Sequence, residues 1–353
     1  MARILFTGGG TAGHVTPNLA LIAALAAEGH EVHYAGSRDG IEHRLVAPRG
    51  IPYHALPTGK LRRYLSLENV LDAFRVLVGI FAGWRLARRL RPDLVFSKGG
   101  FVSVPVVLGA RLAGVRFIAH ESDLTPGLAT RIVAPYAELV CTSFPDTQVP
   151  KALEILHTGT PIRPELLSGK AFRGRSFAGL EAGRPLLLVV GGSLGSAFLN
   201  GLVRESIDRL TARYEVVHVC GRGNVVRDIN VPGYVQFEFL GDPYADVLAA
   251  ADVVLSRAGA NAVFELLAVR RPALLVPLTT AASRGDQVEN ALWMVERGLA
   301  RVITESALSP DALLEELGAL EGEREEILDR IDATPAPNAM LELIELILGR
   351  LPG

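Results

Sequence analysis

Three glycine-rich stretches carry polar side chains at spacings that suit the binding of an anion. Residues 8–14 read GGGTAGH, residues 98–103 read KGGFVS, and residues 191–196 read GGSLGS. Each follows a short apolar run typical of a buried strand and precedes a helical pattern. Glycines leave backbone amides accessible, and amides at a helix N-terminus favour a negatively charged group such as a phosphate. Each stretch alone is also compatible with a tight strand–helix turn.

A fourth stretch, residues 252–265, reads as a buried strand, a small-residue turn and a helix. Ala258, Gly259 and Ala260 are too small to shield the amides of that turn. Glu265 lies about one and a half turns into the helix, where a carboxylate can accept hydrogen bonds from a sugar diol. The loop at residues 283–290 (SRGDQVEN) follows another strand and offers carboxylate and amide groups that suit sugar hydroxyls. A solvated loop and a solvated glutamate are the alternatives.

His14 closes the first glycine stretch, where an imidazole can act as a base or steady an anion. It is equally placed to be a neighbour of a helix N-cap. Gly8, Gly10 and Gly13 formally match the dinucleotide pattern G-x-G-x-x-G. The next strand ends in YAGS at residues 34–37, without an acidic residue to hold a ribose. The sequence therefore disfavours NAD at this loop.

The strand–glycine loop–helix arrangement occurs in both halves of the chain, which predicts an α/β protein of two Rossmann-like, parallel-sheet domains facing across a cleft. We place the first domain at residues 1–162 and the second at residues 163–337. A terminal helix at about residues 338–353 could pack back on the first domain. Polar residues recur at the carboxyl ends of successive strands, the edge at which open α/β sheets bind ligands.

Composition excludes several classes of protein. The chain has 353 residues, a formal net charge of -2 and 21% charged residues, which argues against a nucleic-acid partner. Its two cysteines stand in apolar runs, and no Cys or His cluster has metal-ligand spacing. The longest apolar segment, residues 70–90, is interrupted by five charged side chains, so a membrane span is not expected.

A long helix is predicted over residues 67–90, with a stripe of bulky apolar side chains at three- and four-residue steps. The stripe comprises Leu71, Phe74, Val78, Phe81 and Trp84, and arginines cluster near the end of the helix. Burial in the core is the favoured interpretation of such a stripe. The alternative is an apolar and basic surface that sits on an anionic membrane.

Taken together, six motifs resemble the MurG family of bacterial peptidoglycan N-acetylglucosaminyltransferases. They are GGGTAGHVTP, KGGFVS, HESD at residues 120–123, GGSLG, SRAGANAVFE at residues 256–265 and SRGDQ. The resemblance runs in order over roughly residues 3–300. The resemblance implies a GT-B fold, inverting transfer without a metal or other cofactor, UDP-N-acetylglucosamine as donor and lipid I (undecaprenyl-diphospho-N-acetylmuramoyl-pentapeptide) as acceptor. It also implies a peripheral protein on the anionic inner surface of the cell membrane, at its cytoplasmic face.

The resemblance further implies roles for individual residues. His14 is the first choice for the catalytic base and Glu121 the second. The implied donor-binding residues are Thr11, Ala12, Gly13, Arg163, Ser193, Leu240, Ala260, Glu265 and Gln287. Among them the resemblance assigns Ser193 to the UDP diphosphate, the backbone of Leu240 to the uracil, Glu265 to the ribose, and Ala260 and Gln287 to the donor sugar. Acceptor or anion loops would include Gly10, Gly99, Gly100 and Ser103. A lipid-linked acceptor favours a membrane-contact surface formed by Lys60, Arg62, Arg63, Leu71, Phe74, Phe81, Trp84 and Arg85. Another GT-B transferase with a lipid acceptor, or a non-catalytic nucleotide-sugar-binding protein, remains an alternative.

Overall fold

A computed structural model describes residues 1–59, 67–180, 183–192, 194–279, 285–334 and 339–351, with side chains of the helix at 67–90 described from residue 74 onward. The chain divides into two compact units, which are described one at a time. The first unit comprises Met1–Ile162 and Pro337–Gly353, and the second comprises Arg163–Ala336.

The first unit contains a parallel sheet of seven strands. These are β1 (Arg3–Thr7), β2 (Glu31–Gly36), β3 (Tyr53–Ala55), β4 (Leu94–Ser97), β5 (Phe117–Glu121), β6 (Leu139–Thr142) and β7 (Ile155–His157). The helices between them are α1 (Thr16–Ala27), α2 (Ile41–Val46), α3 (Leu67–Leu90), α4 (Ser103–Leu112) and α5 (Leu128–Val133), with 3-10 turns at Ala12–His14, Ala47–Arg49 and Ala134–Tyr136. The strand order is β3-β2-β1-β4-β5-β6-β7.

Alternate side chains of β1 enter separate cores on the two faces of this sheet. Ile4 and Phe6 belong to one buried cluster, and Leu5 belongs to the other. A strand buried on both faces needs a continuous apolar run, which the sequence RILFT supplies.

The second unit contains a parallel sheet of six strands, in the order β10-β9-β8-β11-β12-β13. The strands are β8 (Leu186–Val190), β9 (Glu215–Val219), β10 (Tyr234–Phe237), β11 (Val253–Ser256), β12 (Ala273–Leu275) and β13 (Arg301–Val302). The helices are α6 (Pro164–Leu167), α7 (Ala171–Ala178), α8 (Ala197–Glu205), α9 (Ile207–Thr211), α10 (Tyr244–Ala250), α11 (Ala260–Ala268), α12 (Asp286–Glu296), α13 (Pro310–Gly322) and α14 (Arg324–Ala333).

The last helix, α15 (Ala339–Leu348), belongs to the first unit. Its buried side chains Leu343, Ile344 and Ile347 join the cluster that contains Ile4 and Phe6. The chain therefore returns to the unit in which it began and covers one face of its sheet.

The helix α3 packs on α4 through glycines. A Cβ atom on Gly83 would lie 2.7 Å from the carbonyl oxygen of Pro105, and one on Gly109 would lie 2.4 Å from the amide nitrogen of Trp84. Such close approach of two helix backbones leaves no room for large side chains between them. The small residues of α3 consequently form its packed face.

Three members of the bulky stripe of α3, Phe74, Val78 and Phe81, are exposed, so the core interpretation is wrong for them. Phe74 is 65% exposed, Phe81 60% and Val78 40%, whereas Trp84 is half-buried. The side chain of Leu71 and all of Lys60, Arg62 and Arg63 lie outside the described residues. Among the helices that the structure describes, none combines the length and hydropathy that crossing a membrane requires.

Candidate active site

In each sheet, the strand order reverses at one point, and the glycine-rich loops lie there. In the first unit the reversal falls between β1 and β4, and in the second unit between β8 and β11. Loops at the carboxyl ends of such neighbouring strands diverge to opposite sides of the sheet and leave a crevice between them. The topology therefore gives each unit one place at which a ligand would bind.

In the second unit this place is a cavity of about 530 Å³. Its walls come from the ends of β8 and β11 and from the helices that follow, and they include Gly191, Gly192, Gly195, Ser196, Tyr244, Ser256, Arg257, Gly259, Leu266, Leu278, Gln287 and Glu305. A cavity of this size with a few convergent polar groups suits a small organic ligand.

The loop after β8 has to contain glycine at position 195. A Cβ atom on Gly195 would lie 1.9 Å from the carbonyl oxygen of Cys220, and the residue has a left-handed φ of 77°. Ser196 then caps α8, since its Oγ accepts a hydrogen bond of 3.2 Å from the amide of Leu199. The loop thus directs the N-terminus of α8 toward the cavity. Ser193, an implied diphosphate ligand, lies outside the described residues.

The loop after β11 presents a second helix N-terminus. Gly259 is the N-cap of α11 and has no side chain to cap it, and Ala260 is the first helical residue. Gln287, in the first turn of α12, also lines the cavity, and its Oε1 accepts a 3.1 Å hydrogen bond from the amide of Leu278. Of the two implied sugar-contact residues, Gln287 therefore lines the cavity. Ala260 is the residue directly after Gly259, which also lines it.

Arg163, Glu265 and Tyr244 form a cluster beside the cavity. Arg163 Nη2 lies 3.3 Å from Glu265 Oε1, and the guanidinium lies 5.8 Å from the centre of the Tyr244 ring. Burial raises the pKa of the Glu265 carboxyl, and the Arg163 charge counteracts that rise. Tyr244 is part of the cavity wall, whereas Leu240, the implied uracil contact, is buried and is not among the lining residues.

Sequence reasoning missed Arg257, which joins several parts of this cavity. Its buried guanidinium bonds to Glu305, lies 2.6 Å from Ser196 Oγ and donates to the carbonyl oxygen of Val276 at 3.0 Å. It thereby ties the helix cap of α8 to the ends of β11 and β12. The one feature of the sequence that could have indicated Arg257 is its position directly before the Ala-Gly-Ala turn.

In the first unit, the Gly8–His14 loop packs against the Gly99–Gly100 turn. The amide of Gly9 donates to the carbonyl oxygen of Gly99 at 3.3 Å. A Cβ atom on Gly100, which has a φ of 78°, would lie 2.1 Å from the carbonyl oxygen of Gly9 and 3.0 Å from Cδ2 of His14. The structure therefore brings His14 together with both implied acceptor loops. Thr11 is exposed at the mouth of the loop, with Ala12 and Gly13 half-buried beside it.

Two further residues fix these loops. Ser103, the first residue of α4, donates from its hydroxyl to the carbonyl oxygen of Gly100 at 2.8 Å. Glu42, which sequence reasoning missed, is buried and accepts a 3.2 Å hydrogen bond from the amide of Gly10. The amide of Gly10 is thus engaged by a carboxylate of its own unit, and an anion would have to bind other amides of the loop.

Glu121 is the last residue of β5, and its carboxylate organises the loop that follows. Its Oε1 accepts hydrogen bonds from the amides of Ser122 at 2.8 Å and Asp123 at 3.0 Å, and its Oε2 accepts one from Gly127 at 3.0 Å. Both carboxylate oxygens of this buried residue are therefore bonded to the main chain of their own loop, at Ser122, Asp123 and Gly127.

No group of three His, Cys, Asp or Glu side chains in the described part of the chain is arranged to hold a metal ion.

Comparison with known proteins identifies the family. Residues 4–142 match the glycosyltransferase family 28 N-terminal domain, and residues 186–346 match its C-terminal domain. The UDP-N-acetylglucosamine–N-acetylmuramyl-(pentapeptide) pyrophosphoryl-undecaprenol N-acetylglucosamine transferase of Lachnoclostridium phytofermentans is 48% identical over 98% of each chain. The protein of the same name from Clostridium tetani is 46% identical over 98% of this chain and 97% of its own.

A solved structure supports the same conclusion. Acinetobacter baumannii MurG superimposes with a TM-score of 0.76 at 26% identity, over 98% of this chain and 99% of that one. The prediction of a GT-B fold with two Rossmann-like parallel sheets is confirmed, as is the predicted family. The chain belongs to glycosyltransferase family 28, and within it to the MurG family of N-acetylglucosamine transferases.

Proposed function

We propose that this enzyme transfers N-acetylglucosamine from UDP-N-acetylglucosamine to the 4-hydroxyl of N-acetylmuramic acid in lipid I, which yields lipid II for peptidoglycan synthesis. The observation that carries the proposal is the 48% identity, over 98% of both chains, to a relative named for that transfer. The site geometry supports it, since the second unit holds a cavity of nucleotide-sugar size and the first unit carries a histidine between two fixed glycine turns.

We assign the donor to the second unit. The diphosphate would lie at the N-terminus of α8, where amides and the helix dipole stabilise negative charge. Glu265 would accept hydrogen bonds from the ribose diol, and Arg163, which already pairs with it, would lie beside the nucleotide. The N-acetylglucosamine ring would lie near Ala260 and Gln287, at the end of the cavity formed by α11 and α12.

The first unit supplies the base. His14 takes the proton from the acceptor 4-hydroxyl, and the oxygen attacks C1 of the donor sugar as the bond from C1 to the diphosphate oxygen breaks. The configuration at C1 inverts, UDP leaves and the proton passes from His14 to water. Amide donors fixed before the reaction stabilise the charge that gathers on UDP without having to reorganise.

The test is release of UDP on addition of a soluble lipid I analogue. Wild-type protein should release UDP from UDP-N-acetylglucosamine at the same rate with and without EDTA, and should not turn over UDP-glucose or UDP-galactose. The variant His14→Ala should bind UDP normally yet lose at least about 100-fold in kcat, as is usual on removal of a general base. Wild-type protein that binds UDP but releases none from the donor would indicate a binding protein instead. Turnover of a different sugar would indicate another transferase.

We further propose that the exposed face of α3 contacts the anionic inner membrane surface, where a lipid-linked acceptor would reside. The rings of Phe81 and Trp84 stack with centroids 5.4 Å apart, and Arg88 lies over the indole at 5.8 Å. Exposed aromatic side chains beside arginines suit an interface of acyl chains and anionic headgroups.

Sedimentation with vesicles of phosphatidylglycerol and phosphatidylcholine tests this surface. The double variant Phe74→Ser/Phe81→Ser should lose most of the binding, and Arg85→Glu should weaken it in a salt-dependent way. Leu153→Ser is the matched control, because Leu153 is an exposed apolar residue of the same unit outside α3. If wild-type protein and the three variants sedimented equally, the proposal would be overturned.

A further inference from the structure

The residue before the Gly99–Gly100 turn is a lysine without solvent exposure. Lys98 directly follows β4, and its side chain is among the largest that are fully buried. Burial lowers the pKa of its ammonium to about 7, although the carboxylates of Glu121 and Asp123 act to raise it. Burying an ammonium costs free energy that an apolar side chain of similar volume would not, so its presence points to a specific contact.

That contact is with the end of β5. Lys98 Nζ lies 2.8 Å from Nδ1 of His120 and also donates to Oγ of Ser122. The carbonyl oxygen of Gly159 can only accept, so Nε2 of His120, which lies 2.9 Å away, carries the ring hydrogen. Nδ1 of the neutral ring is then an acceptor, and Lys98 Nζ can donate to it whether the amine is protonated or neutral. Burial, and next the Lys98 charge, hold the pKa of His120 well below its ordinary range, which keeps the ring neutral.

The main chain of the same residue is bound to the end of β1. The amide of Lys98 donates to the carbonyl oxygen of Thr7 at 2.9 Å, one residue before the first glycine loop begins. Lys98 therefore joins the carboxyl ends of β1, β4 and β5. These are the three strand ends that carry His14, the Gly99–Gly100 turn and Glu121.

We propose that Lys98 is a positioning residue for glycosyl transfer: it anchors the His120 ring and the end of β5, and so holds the Gly99–Gly100 turn against which His14 packs. The proposal rests on the function proposed above, in which His14 is the base. Lys98 has no solvent exposure, so its part in the reaction is to hold the loops around the substrates and not to touch them.

The test compares Lys98→Met with wild type in the UDP-release assay. We expect kcat to fall by about 10²-fold, the usual effect of a small displacement of reacting groups. The Kd for UDP and the KM for UDP-N-acetylglucosamine should stay within about twofold, since we place the donor ligands in the second unit. Leu343→Ala controls for lost stability, because Leu343 is a fully buried core residue of the same unit. It should lower the free energy of unfolding but leave kcat unchanged.

A second readout reports the geometry directly. In ¹⁵N spectra of the imidazole rings, wild-type His120 should show the Nε2-protonated tautomer at neutral pH, and Lys98→Met should shift its Nδ1 resonance, because that nitrogen loses its hydrogen-bond donor. If Lys98→Met does not fold, Ser122→Ala takes its place, with an expected loss of several-fold in kcat at unchanged KM for the donor.

The outcomes separate this inference from the proposed function. If wild-type protein releases no UDP from the donor, the proposed function fails, whatever the tautomer of His120. If wild type is active and the substituted protein keeps its kcat and its His120 Nδ1 resonance, Lys98 is only a core residue and the inference is overturned.

Discussion

Replacing Lys98 with methionine should change how the stability of the first unit depends on pH. The pKa of this ammonium falls from 10.5 to about 7 on folding, because burial disfavours the charged form. Between these two values the unfolded chain holds a proton that the folded chain lacks. The free energy of unfolding therefore rises with pH across that window, and the contribution is constant below pH 7 and above pH 10.5.

The size of the effect follows from the same two values. One pKa unit corresponds to about 1.4 kcal/mol, so wild-type protein should gain about 2 kcal/mol from this residue between pH 7 and pH 9. Lys98→Met lacks the titrating group and should not show that gain. Burial raises the pKa of the Cys141 thiol to about 12 from 9.0, which acts with the opposite sign above pH 9, so the comparison is best kept below that pH.

Urea unfolding followed by tryptophan fluorescence can measure this difference. The chain has two tryptophans, Trp84 in the first unit and Trp293 in the second. In a Trp293→Phe background, only Trp84 reports, so the transition of the first unit is followed alone. The reasoning would be refuted if the free energies of unfolding with and without the Lys98→Met substitution ran parallel from pH 7 to pH 9. The expected result is that the two free energies of unfolding diverge by about 2 kcal/mol between pH 7 and pH 9.

Two further predictions concern the second unit. Glu265→Gln should weaken UDP binding by about 10- to 100-fold, because hydrogen bonds to a charged acceptor contribute free energy of that size. A UDP analogue that lacks both ribose hydroxyls should bind variant and wild type equally by calorimetry, and an effect on both ligands would exclude a ribose contact. Gly195→Ala should lower the Tm by at least about 5 °C and abolish UDP binding, because its Cβ would lie 1.9 Å from the carbonyl oxygen of Cys220. Gly183→Ala, whose Cβ would meet nothing within 4 Å, is its control, and equal melting of the two variants would contradict the argument.

The sequence predicted features that depend on local pattern. The helix over residues 67–90 has the bounds that periodicity indicated. The side on which α3 packs was predicted wrongly, because the hydrophobicity of Phe74 and Phe81 suggested burial. The helix instead packs through Gly83, which lies close to the backbone of α4 at Pro105, and through Gly79, which lies close to the carbonyl oxygen of Pro57 and the side chain of Pro105. Only the partner helix reveals which of the two faces is covered.

The residues that sequence reasoning missed act through contacts distant in the chain. Arg257 reaches Ser196 and Glu305, which lie 61 and 48 residues away. Lys98 reaches His120, 22 residues further on, through the pairing of β4 with β5. A charged residue beside a glycine turn gives no sign in the sequence that it is buried, since burial is decided by which strand ends become neighbours.

Both units contain the same glycine-rich loop pattern after a strand, but the hydrogen bonds of the two loops differ. In the second unit, Gly191, Gly192 and Gly195 line an open cavity at the N-terminus of α8. In the first unit, the carboxylate of Glu42 already accepts from the amide of Gly10, which lies 32 residues earlier in the chain. A carboxylate at that amide opposes a second negative charge there, because like charges repel strongly when buried. We therefore propose that the diphosphate binds at the open loop of the second unit, whereas the loop of the first unit holds His14.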